Sequence, residues 1–408
     1  MKKTVVISVL VPAVALGSFL SLPQASATAA QGQKEKIEQK IKKADVIEFK
    51  DSNIKAMVTL ELSVILGRPA TDADFTQENL NQITYLGTFA GSALKTLDDL
   101  AHMPNLQTVN LAASAGAKTF DTTPLSHLDK LKEFTFWFSD GQLSSLKPFE
   151  GKDLTRLEIH AQPIADASEK VVDSLKSLQI LTLSYFDLGE AVRDVGSLDD
   201  LPALIEITLH TGLTTAPTLK ASSKLDYASF SGNNISIAPD LSHSKNLSIL
   251  SLDRNKIKDY TNIEKMLDLP NPPSIFLAHN LLTTYPDFAA QIRPADLNGN
   301  FIVGHGLKFQ NDIKKWSNQT LEAGKQIELP IEWVEEGTNF PPFESFTKHQ
   351  QDFVNGKNMK IETDNDNVSV TAKDSSIVIT AKDGVQGKTH VNLSYGGDLS
   401  TSFEVDVQ

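Results

Sequence analysis

The sequence predicts an α/β solenoid, a curved array of repeats with a helical cap before it and an all-β sandwich after it. Three observations carry this. One spacing of apolar residues, at positions one, four and six and often with Asn at nine, is written nine times between Leu106 and Asn300. A segment on a helical period precedes it, and short alternating runs follow it.

The copies begin at Leu106, Leu131, Leu154, Leu178, Leu204, Leu225, Leu247, Pro272 and Ile292, at intervals of 25, 23, 24, 26, 21, 22, 25 and 20 residues. Intervals of roughly 20 to 29 residues with this spacing are the leucine-rich-repeat pattern, and a series this long is far beyond chance. On a period-two pleat, positions four and six point into the core, as Leu181 and Leu183 do in the copy starting at Leu178. Asn at nine satisfies backbone groups where the chain turns, and Asn233, Asn255, Asn280 and Asn300 hold that place. Copies one to five have Ser114, Ser139, Gln162, Phe186 and Gly212 there, which predicts less regular early turns. The repeats span residues 101–302.

A single repeat cannot bury its own apolar face, so the array needs a cap. Residues 45–100 are read as that cap, mostly helical. Ile54, Val58, Leu62 and Ile65 keep a helical period from Asp51 to Leu66, and Gly67 and Pro69 stop it. Thr76 is placed to cap a second helix, with Phe75 and Leu80 as its hydrophobic staple. Residues 28–44, including the Lys-rich stretch Lys34 to Lys43, read as a linker or a frayed, solvated helix. Beyond Ile302 strands are expected at Gln326 to Ile331, Val368 to Ala372, Ile377 to Ala381, Thr389 to Tyr395 and Phe403 to Val407. That rhythm predicts an Ig-like sandwich over 303–408, with Asn339 to Asn355 as an irregular insertion.

Lys2 and Lys3, the apolar run Val5 to Leu22 and Ala25-Ser26-Ala27 follow the order of a secretory signal peptide, residues 1–27, with cleavage after Ala27. Loss of its two lysines takes the formal charge from -13 to -15. So acidic a chain disfavours nucleic acid and anionic lipid as partners. No later stretch reaches membrane-spanning length, and the strand-like end at Val407 leaves no room for a sorting signal. A protein released from the cell, or held there non-covalently, is the expectation. The chain has no cysteine, so disulfides and thiolate metal sites are excluded and stability rests on burial.

Catalytic patterns are missing. Gly387-Lys388-Thr389 has Lys382 where a phosphate loop requires Gly, and reads as a turn into a strand. Neither HExxH, GxSxG nor GxGxxG occurs. His160 and His210 fall on alternate strands, about 10 Å apart by strand spacing and too far to share a metal easily. Glu133, Glu158 and Glu206 could imitate a catalytic pair, but exposed glutamates on a repeat surface are ordinarily solvated. The expectation is a non-enzymatic protein without cofactor or metal. Trp316 and Trp333 are assigned to core or junction packing.

If positions four and six point inward, positions three, five and seven face outward on the concave side, with eight just beyond. Those columns hold Trp137, Phe138, His160, Tyr185, His210, Tyr227, Arg254, Phe276 and His279. Aromatic and cationic groups of this kind dominate protein interfaces, so these nine are the candidate protein-binding residues. For Phe138, Tyr185 and Phe276 the alternative is local packing in the turns.

The segments Ile47 to Lys55 and Phe75 to Leu86 resemble the N-terminal cap of the internalins of Gram-positive bacteria. The run Phe120 to Leu131 resembles their linker between repeats, and a sandwich directly after the last repeat is similar to their arrangement. The resemblance implies an elongated cap, repeat and sandwich unit that binds a host surface protein through its concave face. Variable repeat length and the missing early Asn residues depart from the family pattern. The lack of an LPxTG motif suggests its secreted branch. An adhesion or virulence factor acting as a monomer is therefore expected, the alternative being a structural or docking component of the bacterium's own cell envelope.

Overall fold

A computed structural model describes residues 46–408 apart from 88–92, 113–117, 187, 189–190, 288–296, 303–309, 314, 337–347 and 397–398. The predicted signal peptide and the Lys-rich stretch lie outside the described residues. The chain divides into two units at Val46, and the elements described below belong to the second, Ile47–Gln408.

The second unit opens with helix α1, Ser52–Leu66, which Asp51 caps by accepting hydrogen bonds from the Asn53 and Ile54 amides. It ends at Gly67, whose φ of 64° is the left-handed conformation that glycine takes at least cost. Ile54, Met57, Val58 and Leu62 form its buried face. Ile65, expected there as well, is 39% exposed, and Met57 fills the face instead. Thr76 caps α2, Gln77–Leu80, as its spacing predicts, but this helix is a single turn. Phe75 and Leu80 are both buried.

The segment read as a cap is less helical than expected, because its far end already belongs to the sheet. Strand β1, Tyr85–Gly87, pairs in parallel with β2, Thr108–Ala112, setting Leu86 against Val109. Parallel pairing then continues through β4 (Glu133–Leu143), β5 (Arg156–Gln162), β6 (Ile180–Tyr185), β7 (Glu206–His210), β8 (Tyr227–Ser229), β9 (Ile249–Ser251) and β10 (Ser274–Phe276). A short strand β3, Lys118–Phe120, pairs with the far half of β4. Val109, Phe134, Leu157, Leu181, Ile207, Ala228, Leu250 and Ile275 align at position four, all buried. This one-dimensional stack of short parallel strands is a leucine-rich-repeat solenoid. The ninth copy shows no strand among the described residues, although its Asn300 is in place.

Each position-nine Asn joins two repeats. The Asn255 amide nitrogen donates to the carbonyls of Phe230 and Leu252 at 2.9 and 3.0 Å, and its oxygen accepts from the Ile235 amide at 3.0 Å. Asn233, Asn280 and Asn300 repeat this pattern, and all four are buried. The residue before each, Gly232, Arg254, His279 or Gly299, takes a positive φ between 56° and 72°, which swings the Asn inward. In copies two to four this turn is missing and the strands run on, β4 to eleven residues, β5 to seven and β6 to six.

After the repeats, β12 (Gln319–Leu321), β19 (Leu399–Val407), β18 (Gly387–Gly396) and β15 (Lys360–Thr363) form one sheet. The strands β13 (Gln326–Pro330), β17 (Ser376–Ala381) and β16 (Val368–Ala372) form another, and β11 (Gln310–Ile313) pairs with β14 (Trp333–Glu336). All five strands expected from alternation are present, and Gly387 opens β18 as the predicted turn into a strand. Ile377, Ile379, Val391, Leu393, Phe403 and Val405 share one core, which Leu281 and Phe301 of the last repeats enter. Trp316 packs against it, its ring 5.5 Å from Phe403, as expected; the Trp333 side chain lies outside the described residues. The insertion predicted as irregular contains a short helix, Lys348–Phe353. From it the buried Gln350 donates to the carbonyls of Asn280 and Gly299 at 3.1 and 2.8 Å.

Leu181 and Leu252 are fully buried, so Leu181→Ala or Leu252→Ala should each cost about 2 to 5 kcal/mol through the cavity left behind. Asn255→Ala should cost about 2 kcal/mol or more, because buried backbone groups lose partners worth about 1 to 3 kcal/mol each. Urea unfolding measures all three, and losses below about 1 kcal/mol throughout would contradict this packing.

Candidate binding face

Because the strands pair in register, the residues between the buried ones stand in rows on the opposite face of the sheet. Position seven gives Ala112, Trp137, His160, Ser184 and His210 side by side. Position five gives Asn110, Thr135, Glu158, Thr182, Thr208, Ser229, Ser251 and Phe276; position three gives Thr108, Glu133, Arg156, Ile180, Glu206, Tyr227, Ile249 and Ser274. The middle row is mostly short hydroxyl side chains, so the larger groups beside it stand clear.

Trp137 is 54% exposed and lies on His160, with ring centroids 4.5 Å apart and planes inclined by 22°. His160 and His210 are half-buried. Burial lowers the pKa of both, opposed at His160 by the Glu158 charge and at His210 by the Gly232 backbone. Both rings are therefore neutral at pH 7. A Cβ at Gly232 would stand 3.0 Å from His210 Nε2, so glycine gives that ring its place. Beside it, Ser184, Phe186 and Gly212 help line a hollow of about 380 Å³, large enough for one incoming side chain. Arg156 Nη1 donates to Glu158 Oε1 at 3.0 Å, and the Thr135 hydroxyl donates to Oε2 at 3.2 Å.

Seven of the nine candidate residues reach this surface or its edge. Trp137 and Arg254 are exposed, and His160, His210, Tyr227, Phe276 and His279 are half-buried. Phe138 and Tyr185 do not: they are 0% and 1% exposed and belong to the core. Both stand at position eight, where β4 and β6 stay extended, so the pleat carries them inward after positions four and six. Phe138 stacks on Phe136 at 4.3 Å. Arg254 and His279, also at position eight, escape that fate because they occupy the left-handed turn before an Asn. Sequence reasoning missed Tyr85, 46% exposed and aligned with position three, because its segment was assigned to the cap. The spacing Ile83-x-x-Leu86 was the signal.

Tyr185 turns inward toward a buried carboxyl. Glu169 is fully buried, with Arg193 Nε 4.0 Å from Oε1, and neither of its oxygens nor the Tyr185 hydroxyl has a hydrogen-bond partner among the described residues. Burial raises the Glu169 pKa, opposed by its own backbone amide and by the Arg193 charge. A carboxyl whose pKa is raised by folding stabilises the fold while both states hold the proton, below the unfolded value of about 4.3. That contribution is lost as pH rises through the folded value. Glu169→Gln should therefore raise the melting temperature at pH 7, and the gain should vanish near pH 4. A pH-independent difference between the two proteins would show that burial does not raise the Glu169 pKa.

The fold defines a leucine-rich-repeat protein. No family model matches the chain, and no curated protein matches its sequence. Solved structures similar to it include internalins of Listeria monocytogenes. InlP is 16% identical over 89% of this chain and 100% of its own, with a TM-score of 0.42. The internalin InlF is 17% identical over 62% of this chain and 77% of its own, with a TM-score of 0.45, and InlC2 is 20% identical over 62% and 96%, with a TM-score of 0.37. No helix among the described residues is long and apolar enough to cross a membrane.

Proposed function

We propose that this is a secreted, non-enzymatic, internalin-like protein that binds a host surface protein through the outward face of its repeat sheet, as an adhesion or virulence factor. In this reading the helices before β1 are the cap, the two sheets after the repeats are an Ig-like sandwich, and the protein acts as a monomer. The observation that carries it is Trp137, a large ring more than half exposed on a regular strand face that also carries Tyr85 and Tyr227 at position three. Water-exposed indole on a rigid surface contributes little to folding and much to an interface.

Replacing Trp137, Tyr227 and Phe276 together by Ala should weaken binding to a captured host protein by at least about 2 kcal/mol, with the melting temperature little changed. Equal affinity of the triple variant and the parent would remove the face from consideration. Fractionating a culture into medium, wall and membrane tests export separately. Confinement to the wall would favour the protein as a component of the bacterium's own envelope.

A further inference from the structure

The strand face has a charge imbalance that selects among partners. Its three rows from β2 to β10 contain the carboxylates of Glu133, Glu158 and Glu206 against the single guanidinium of Arg156. Arg156 is already engaged by Glu158, at 3.0 Å. Glu133 and Glu206 form no ion pair among the described residues. On the same face, at position seven of β4, stands Trp137, with one ring face covered by His160 and small Ala112 as its neighbour on the other side. His160 is neutral at pH 7 and adds no repulsion. An exposed indole on a sheet face whose carboxylates outnumber its cations suits a cationic partner, and a planar guanidinium fits it best.

We propose that Trp137 is the seat for an arginine side chain presented by a basic surface of the partner protein, with Glu133, Glu158 and Glu206 steering that surface into place. This rests on the reading of the face as the binding surface and adds the chemistry of what binds. Complementary charge governs the rate and selectivity of association more than its final strength. The stacked cation contributes through the ring.

A hexa-arginine peptide titrated into the ¹⁵N-labelled protein tests it, with the indole N–H resonances of the three tryptophans as the readout and Trp137→Phe to assign the one concerned. The Trp137 resonance should shift and hexa-glutamate should leave it unmoved. Trp137→Ala should weaken hexa-arginine binding by about 3- to 30-fold, the range expected for a cation on an aromatic face. Glu133→Gln with Glu206→Gln should lower its salt dependence while the melting temperature holds. An unmoved Trp137 resonance, or equal affinity of parent and Trp137→Ala, would mean that the peptide is held by net charge alone and would overturn the proposal. If the triple alanine variant loses the host partner while hexa-arginine leaves Trp137 untouched, the binding face stands and the cation falls. Retained partner binding in that variant overturns the face itself.

Discussion

Which way position eight points decides the character of every repeat, and a buried carboxamide sets it. Where Asn stands at nine, the residue before it adopts a positive φ, the strand stops early, and the amide satisfies carbonyls of its own turn and of the preceding one. In β4, β5 and β6, which lack that Asn, the pleat continues, and position eight follows four and six into the core. The late repeats thus present Arg254 and His279 at their edge, while the early ones bury Phe138, Ala161 and Tyr185. Extra buried aromatics give the early repeats a thicker core, where Phe120, Phe136 and Phe138 meet ring to ring.

A stack of this kind exposes backbone and apolar surface at both ends. At the front, buried Asp99 accepts from the Lys50 and Asp51 amides at 2.9 and 2.7 Å, and Asp51 in turn caps α1 and accepts from the Lys95 and Thr96 amides. At the back, Gln350 takes up carbonyls at the end of the Asn series, while Phe301 enters the next core. Both closures use a buried polar side chain to satisfy backbone groups that would otherwise lack partners, a loss worth about 1 to 3 kcal/mol per group.

The outward face follows from the same register. Parallel pairing without slippage places like positions about 4.8 Å apart, so a ring at position seven of one strand meets its neighbour at position seven of the next. Trp137 and His160 are stacked for that reason. Short hydroxyl residues along position five leave the stack standing clear, and the carboxylates at positions three and five give the face its sign.

The sequence by itself determined the repeat array, its inward positions, the helix from Asp51 to Leu66 and the five later strands, since each is written as local periodicity with its own stop signals. The Asn turns were legible too, because one residue type does one job at one place. Tyr85 was hidden because its segment resembles a cap, although Ile83 and Leu86 around it keep the repeat spacing. The burial of Phe138 and Tyr185, the seat of Gln350 and the pairing of Trp137 with His160 were decided only by tertiary structure. Each depends on where a neighbouring strand or a distant helix comes to rest. A residue's own sequence neighbours fix its parity on a strand, but how far the strand continues is settled by the hydrogen bonds that the next repeat offers it.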